Sequence, residues 1–352
     1  MRNTFAATIA SLIILRVSAT PGLSLTVVPV TTSDVNGLLV TAILNNTGSD
    51  TLTLLNDPRS VLSPLPTGIF TLTNGKGSPE FIGIRVKYSP DKVAKEGNPA
   101  SFTVLAPGES REFVHNLSSV YNFTQTGPGK YSIVALDTFD HIDLSGNLAT
   151  LKATSQPSTF EITGNFIPQA SLQIRSSALK SRQSPSKFED CSRSQRKSIN
   201  KAIPIAEASI TESLSWFNTH SSGTQRYTSW FGAHDLKRSG KAGRFFQSIQ
   251  GKSMQSTYNC SCNVEDAYAY VYPNGPYTVY LCPAFWRAPD EGADSKAGTL
   301  IHEQTHFTVN GGAKDTAYGR EGCRGLASSY PDEAVQNADN YEYFAENIPK
   351  ET

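Results

Sequence analysis

The stretch Ile301–Gly319, IHEQTHFTVNGGAKDTAYG, decides how this chain is read. Its first residues contain His302-Glu303-Gln304-Thr305-His306. On a helix, positions i and i+4 lie one turn apart on the same face, so both imidazoles can grip one zinc ion, and Glu303 stands where it can deprotonate a water that the ion activates. A catalytic zinc ordinarily takes three protein ligands. No histidine follows His306, so the third ligand is sought among carboxylates. Asn310-Gly311-Gly312-Ala313 can reverse the chain and bring Asp315 back to the ion; on spacing alone Glu321 and Asp332 are alternatives.

Working outward, the residues around the motif alternate between helical and hairpin patterns. Ile199, Ile203, Ala206, Ile210, Leu214 and Phe217 recur three or four apart, which predicts a helix over Ser192–Thr219 that Pro204 should kink or split. Ala267–Leu281 reads as a hairpin about Pro273-Asn274-Gly275-Pro276. Helices are predicted over Ala297–Thr308 and Pro331–Asn347, the latter opening with Pro331, Asp332 and Glu333, suited to a first turn.

The other half of the chain follows different rules. Between Gly22 and Thr163, apolar runs at Leu23–Val30, Leu38–Leu44, Phe81–Tyr88 and Tyr131–Leu136 are separated by turn-forming clusters, which predicts a β-sandwich. This half has no cysteine and no catalytic constellation; His115 and His141 stand alone. All the cysteines and tryptophans lie beyond the polar, basic stretch Gln169–Lys187, which reads as an exposed linker open to proteolysis. The N-terminus has Arg2, an apolar stretch Phe5–Leu15 and a Val17-Ser18-Ala19 cleavage context, the grammar of an export signal. Glycosylation acceptor triplets begin at Asn45, Asn116 and Asn122. The expected division is therefore 1–20 signal peptide, 21–168 β-rich domain, 169–186 linker or processing region, and 187–352 a separate domain that carries the motif.

Composition narrows the function classes. The 352 residues carry 31 Lys+Arg against 31 Asp+Glu, and this balance argues against a nucleic-acid or anionic-membrane partner. No apolar run reaches the roughly 18 residues of a membrane-spanning helix.

The segment His302–Gly319 resembles the aspzincin metalloproteases, a deuterolysin-like group in which an aspartate is the third zinc ligand. More closely it is similar to the peptidyl-Lys metalloendopeptidases. The resemblance runs over Lys187–Thr352 and includes Arg226–Gly232 (RYTSWFG), Ala269–Asn274 (AYVYPN), Val279–Pro289 (VYLCPAFWRAP) and Asn337–Asn347 (NADNYEYFAEN). It implies an α+β zincin-like metalloprotease domain after the β-sandwich propeptide domain. It also implies one zinc ion on His302, His306 and Asp315, Glu303 as general base, and Tyr318 as donor to the developing oxyanion. Asp339 and Glu342 would recognise the substrate lysine, and disulfides would join Cys191 to Cys260 and Cys262 to Cys282, leaving Cys323 over. The expected enzyme is a secreted monomer that acts on lysine-containing proteins and peptides, with its own propeptide as an intramolecular partner covering the cleft or assisting folding. Release would follow a cut between Gln169 and Phe188, either by the enzyme itself at Ser186-Lys187 or by a trypsin-like protease after Arg182. Three residues depart from the family pattern: Gly312-Ala313 replaces glycine-threonine, Tyr341 replaces a histidine, and Pro204 falls in the first helix. A broad deuterolysin-type protease without a lysine pocket is one competing reading, and a non-enzymatic secreted binding protein is another.

Overall fold

A computed structural model describes residues 22–30, 37–164 and 186–351. The expected signal peptide and the linker up to Pro185, with Arg182, lie outside the described residues.

The N-terminal half is built of strands whose side chains alternate inward and outward. Leu39–Asn46 buries every second residue (Val40, Ala42, Leu44, Asn46) and pairs antiparallel with both Leu23–Pro29 and Ser110–Asn116. Thr154–Ser155 completes that four-stranded sheet. A second sheet orders Ser158–Ile162, Gly129–Ala135 and Phe70–Thr73; a third orders Leu148–Lys152, Thr138–Ile142, Leu52–Leu55 and Phe102–Leu105. Their inner faces meet in one apolar core that includes Leu25, Leu44, Leu54, Tyr131, Ile133 and Phe139.

The C-terminal half pairs helices with a mixed sheet. Ser192 caps the helix Arg193–Thr219 with a reciprocal capping box through Gln195. Pro204 does not split the helix, which runs through it. Pro204 and Asn200, whose carbonyl loses its ladder partner, both face solvent, where water can satisfy the freed oxygen. The hairpin forms as Ala267–Val271 against Thr278–Leu281. Disulfides join Cys191 to Cys260 and Cys262 to Cys282, across sequence separations of 69 and 20 residues. Cys323 is a buried free thiol.

Two expectations fail in ways that shape the site. The single helix over Pro331–Asn347 is instead Pro331–Ala334 and Ala338–Glu346. Asn337, at the break, turns its side chain on the loop after Asp315: its Oδ1 accepts from the Thr316 and Ala317 amides and its Nδ2 donates to the Ala317 carbonyl. The break thus serves to clamp a neighbouring loop.

The run Phe81–Tyr88 is likewise not one strand. Glu80–Phe81 pairs with Tyr121–Asn122 inside the N-terminal half, while Arg85–Tyr88 leaves it and adds an antiparallel edge to Ala267–Val271. Gly83 sits between them, and a Cβ there would lie 2.1 Å from the Pro66 carbonyl oxygen, so only glycine fits the crossing. The resulting sheet orders Lys187–Glu189, Thr257–Asn259, Thr278–Leu281, Ala267–Val271 and Arg85–Tyr88. Apolar clusters of mixed origin seal the seam: Ile84 and Val86 with Ala267 and Cys282, and Leu55, Tyr88 and Val93 with Tyr318. Burying an apolar side chain of that size contributes about 1.5–3 kcal/mol.

Candidate metal centre and its adjoining pocket

Helix Lys296–His306 carries the motif. Ser295 caps it, and every residue from Ala297 to His306 is buried. His302 and His306 turn toward each other with their Nε2 atoms 2.9 Å apart. The chain then reverses through Gly311 and Gly312, at φ 130° and 67°. A Cβ on Gly311 would stand 2.4 Å from the Phe245 ring. The reversal brings Asp315 Oδ1 to 3.3 Å from His302 Nε2 and 3.2 Å from His306 Nε2. A tetrahedral ion with ligand bonds of about 2.1 Å spaces its ligands about 3.4 Å apart, so the three atoms fit one zinc. Asp315 Oδ1 and both Glu303 carboxylate oxygens are buried with no hydrogen-bond partner, as a set of groups waiting on an ion and its water would be. Glu321 and Asp332 lie elsewhere: Glu321 is exposed in helix Gly319–Ser329, and Asp332 is exposed and pairs with Arg238 at 3.3 Å.

The ligands are held from behind. His306 Nδ1 lies 2.8 Å from the Ala313 carbonyl, and the Ala313 amide donates to the Thr305 carbonyl. Ala313 therefore acts through its backbone, and its buried methyl serves packing. His302 Nδ1 lies 2.7 Å from Asp339 Oδ1, a carboxylate placed to orient the ring. Asp339 Oδ2 accepts from the Gly319 amide, next to Tyr318.

The charges follow from burial and these contacts. Burial acts against a charged His302, but Asp315, Asp339 and Glu342 outweigh it and raise its pKa well above the ordinary histidine value. His306, with less carboxylate support, is pushed down by burial. Burial works to raise Asp315, yet His306 and His302 hold its carboxyl far below the usual carboxylate range. Glu303 is driven well up by burial, with His302 pulling the other way and the Lys87 backbone amide also lowering it. Burial, with the charges of Asp315 and Asp57, pushes the Tyr318 phenol well up, so it remains a donor.

Asp339 and Glu342 are one turn apart on helix Ala338–Glu346, both fully buried, and they meet a lysine of the N-terminal half. Lys87 Nζ lies 3.0 Å from Asp339 Oδ1, 2.8 Å from Glu342 Oε2 and 3.1 Å from Asp294 Oδ1. Burial opposes its charge, but Asp339 and Glu342 outweigh that and hold the ammonium protonated far above the ordinary lysine value. In return Lys87 holds Asp339 low against burial, whereas burial leaves Glu342 above its usual range. Arg226 anchors the pocket helix from its far side: its guanidinium donates twice to the Phe344 carbonyl and pairs with Glu212 at 2.7 Å. Tyr341, between the two acids in sequence, faces away, with its hydroxyl on the Val335 carbonyl and its ring against Phe245.

Two participants escaped the sequence reading. Asp294 forms a third wall of the pocket, held by the Tyr343 hydroxyl at 2.8 Å. It precedes the N-cap Ser295 and has a left-handed φ of 50°, which nothing in its neighbourhood announces. Lys87 was visible only as a charge inside an apolar run.

Known proteins resemble this chain over about half or nearly all of its length. The family model for lysine-specific metallo-endopeptidases matches residues 216–346. A peptidyl-Lys metalloendopeptidase from Grifola frondosa is 42% identical over 340 residues, 96% of this chain and 96% of its own. One from Pleurotus ostreatus is 44% identical over 163 residues, covering 46% of this chain and 97% of its own. A solved zinc peptidase from Grifola frondosa is 45% identical, covers 46% of this chain and all of its own, and has a TM-score of 0.45. The chain belongs to the aspzincin metalloendopeptidases, and within them to the peptidyl-Lys metalloendopeptidase family. It is a zinc metalloendopeptidase.

Proposed function

We propose that this chain is the secreted precursor of a monomeric zinc endopeptidase that hydrolyses peptide bonds on the amino side of lysine. The observation that carries the reading is the Lys87 ammonium, enclosed by Asp339, Glu342 and Asp294 beside the candidate zinc ligand His302. A pocket of buried carboxylates accepts a lysine head group and leaves an uncharged side chain facing unpaired acids, which is how polar pockets discriminate strongly.

In this reading His302, His306 and Asp315 hold the ion, which supplies Lewis acidity toward the scissile carbonyl. Glu303 takes a proton from the attacking water and returns it to the leaving amine of lysine. Its carboxylate is fully buried beside His302, and both its oxygens are free of hydrogen-bond partners and so open to a water's proton. Tyr318 donates its hydroxyl to the carbonyl oxygen as negative charge develops there. Asp339 serves the pocket and the ring of His302 at once, so the lysine that binds and the imidazole that ligates share one carboxylate.

The β-rich half would be a β-sandwich propeptide, and residues from Lys187 onward the zincin-like catalytic domain. The Pleurotus ostreatus relative supports this division, since its near-complete length aligns with about half of this chain. Processing at Ser186-Lys187 would leave the edge strand Lys187–Glu189 intact at the new terminus.

Mass spectrometry of peptides released from an unstructured protein tests the specificity. Cuts should fall almost wholly before lysine, and both Glu303→Gln and a chelator should abolish them. Zinc-dependent cuts without lysine preference would instead point to a broad deuterolysin-type enzyme.

A further inference from the structure

Strand Arg85–Tyr88 does more than cover the cleft. It runs antiparallel to Ala267–Val271, pairing Val86 with Tyr270 and Lys87 with Ala269. Peptides that add a strand to a sheet edge take affinity from the backbone and specificity from side-chain pockets. The backbone of Val86 and the side chain of Lys87 each meet groups with a role in the reaction proposed above. The Val86 carbonyl accepts from the Tyr318 hydroxyl at 2.5 Å. The Val86 amide donates to Asp315 Oδ2 at 3.1 Å. On the other side of the bond, the Lys87 side chain fills the acidic pocket. The N-terminal half also grips Tyr318 directly. Arg59, fixed by Asp57 and by Asp140 at 3.0 Å, stacks its guanidinium 4.4 Å over the Tyr318 ring.

We propose that Arg85–Tyr88 is a built-in pseudosubstrate, bound in the register of a lysine peptide with Val86–Lys87 at the position of the scissile bond and Lys87 as the anchor that closes the cleft to other peptides. The proposal rests on the lysine-pocket reading above. The occupant is this segment of the same chain, and the seam clusters of Ile84, Val86 and Tyr88 hold it in place. The pairing is also polar: Ser89 donates to Asp294 Oδ2 at 3.3 Å, so the strand's continuation touches the same pocket wall.

The test measures binding on the zinc-loaded full chain carrying Glu303→Gln, which does not consume its ligand. A fluorescent peptide with one central lysine is titrated by anisotropy against this chain and against the same chain with Lys87→Met. The Lys87→Met chain should bind at least tenfold tighter, and a peptide with norleucine for lysine should gain little. If both peptides gain equally, the strand merely covers the cleft: the lysine-pocket reading fails, and the pseudosubstrate register falls with it. If neither gains and Lys87→Met is folded, the proposal is overturned. A second measurement covers failure of that variant to fold. In the Glu303→Gln chain with Lys87 intact, amide exchange at Val86 and Tyr88 should be slow, and excess lysine peptide should accelerate it. Peptide binding that leaves exchange in 85–88 unchanged would place the strand outside the cleft and sink the idea.

Discussion

The two halves bury their residues by different means. The N-terminal half is closed mainly by apolar strand faces: Leu25, Leu44, Leu54 and Ile133 are almost completely hidden, and this half has no disulfide. The C-terminal half buries an unusual amount of polarity, including His302, Glu303, His306, Asp339, Asn340, Glu342 and Arg226, and it carries both cross-links. Polar groups in an interior must be paired or they cost free energy, so the second half needs rigid outside support that the first does not. Its longer disulfide loop, with a separation of 69 residues, is worth roughly 4 kcal/mol in the chain-entropy account. The difference teaches that stability and chemistry have been separated along the chain. The N-terminal half meets that polar interior with Lys87, whose ammonium reaches the buried acids Asp339 and Glu342.

Four substitutions break or sharpen that contrast. Glu303→Gln should lower the peptidase rate of the processed enzyme by about 10²–10⁴-fold, the range for losing a general acid–base, with an unchanged melting profile. Retained activity in a zinc-dependent assay would remove Glu303 from the mechanism. Leu44→Ala, in the apolar half, should cost about 2–5 kcal/mol in denaturant unfolding, from lost transfer energy and the cavity left behind. The unfolding should be insensitive to reductant in this half, whereas the C-terminal half should lose stability when its disulfides are reduced. Arg226→Ala should cost about 2–3 kcal/mol, because the Phe344 carbonyl loses a charged donor while the half-exposed Glu212 can turn to water. Its signature would be weaker lysine preference together with lower stability, since the helix carrying Asp339 and Glu342 loosens. The smallest effect belongs to Tyr341→Phe, about 1 kcal/mol for one hydroxyl on the Val335 carbonyl, with lysine preference untouched. A shift in cleavage specificity there would contradict the placement of Tyr341 in the core.

What could be read from the sequence follows the range of the interactions. His302, Glu303 and His306 share one helical turn, so local periodicity was enough to group them. Asp315 needed a chain reversal, which two adjacent glycines signalled, yet spacing alone left Glu321 and Asp332 in contention. Asp339 and Glu342 came from resemblance to the family, and their pairing on one face is again local. The break at Val335–Asn337 was hidden because its cause, the Asn337 side chain on the Asp315 loop, lies in tertiary contact. Pro204 does not split its helix, because Asn200, whose carbonyl it leaves without a ladder partner, faces water. Arg85–Tyr88 was read as part of a sandwich strand, as its alternating pattern allows. A strand's pattern says that it must pair and nothing of which sheet it joins.

Gly83 allows the chain to cross from one sheet to the other, and the consequence is a matter of concentration. While Lys87 and the pocket belong to one molecule, the pocket meets its lysine at the effective concentration of a tether, on the order of millimolar for a short flexible connection. Proteins outside must outcompete that local excess. Once the chain is cut between the two halves, the same strand becomes an ordinary ligand whose hold depends on how many copies share the volume. On the pseudosubstrate proposal, dilution after such a cut would free the pocket as well as the cut itself.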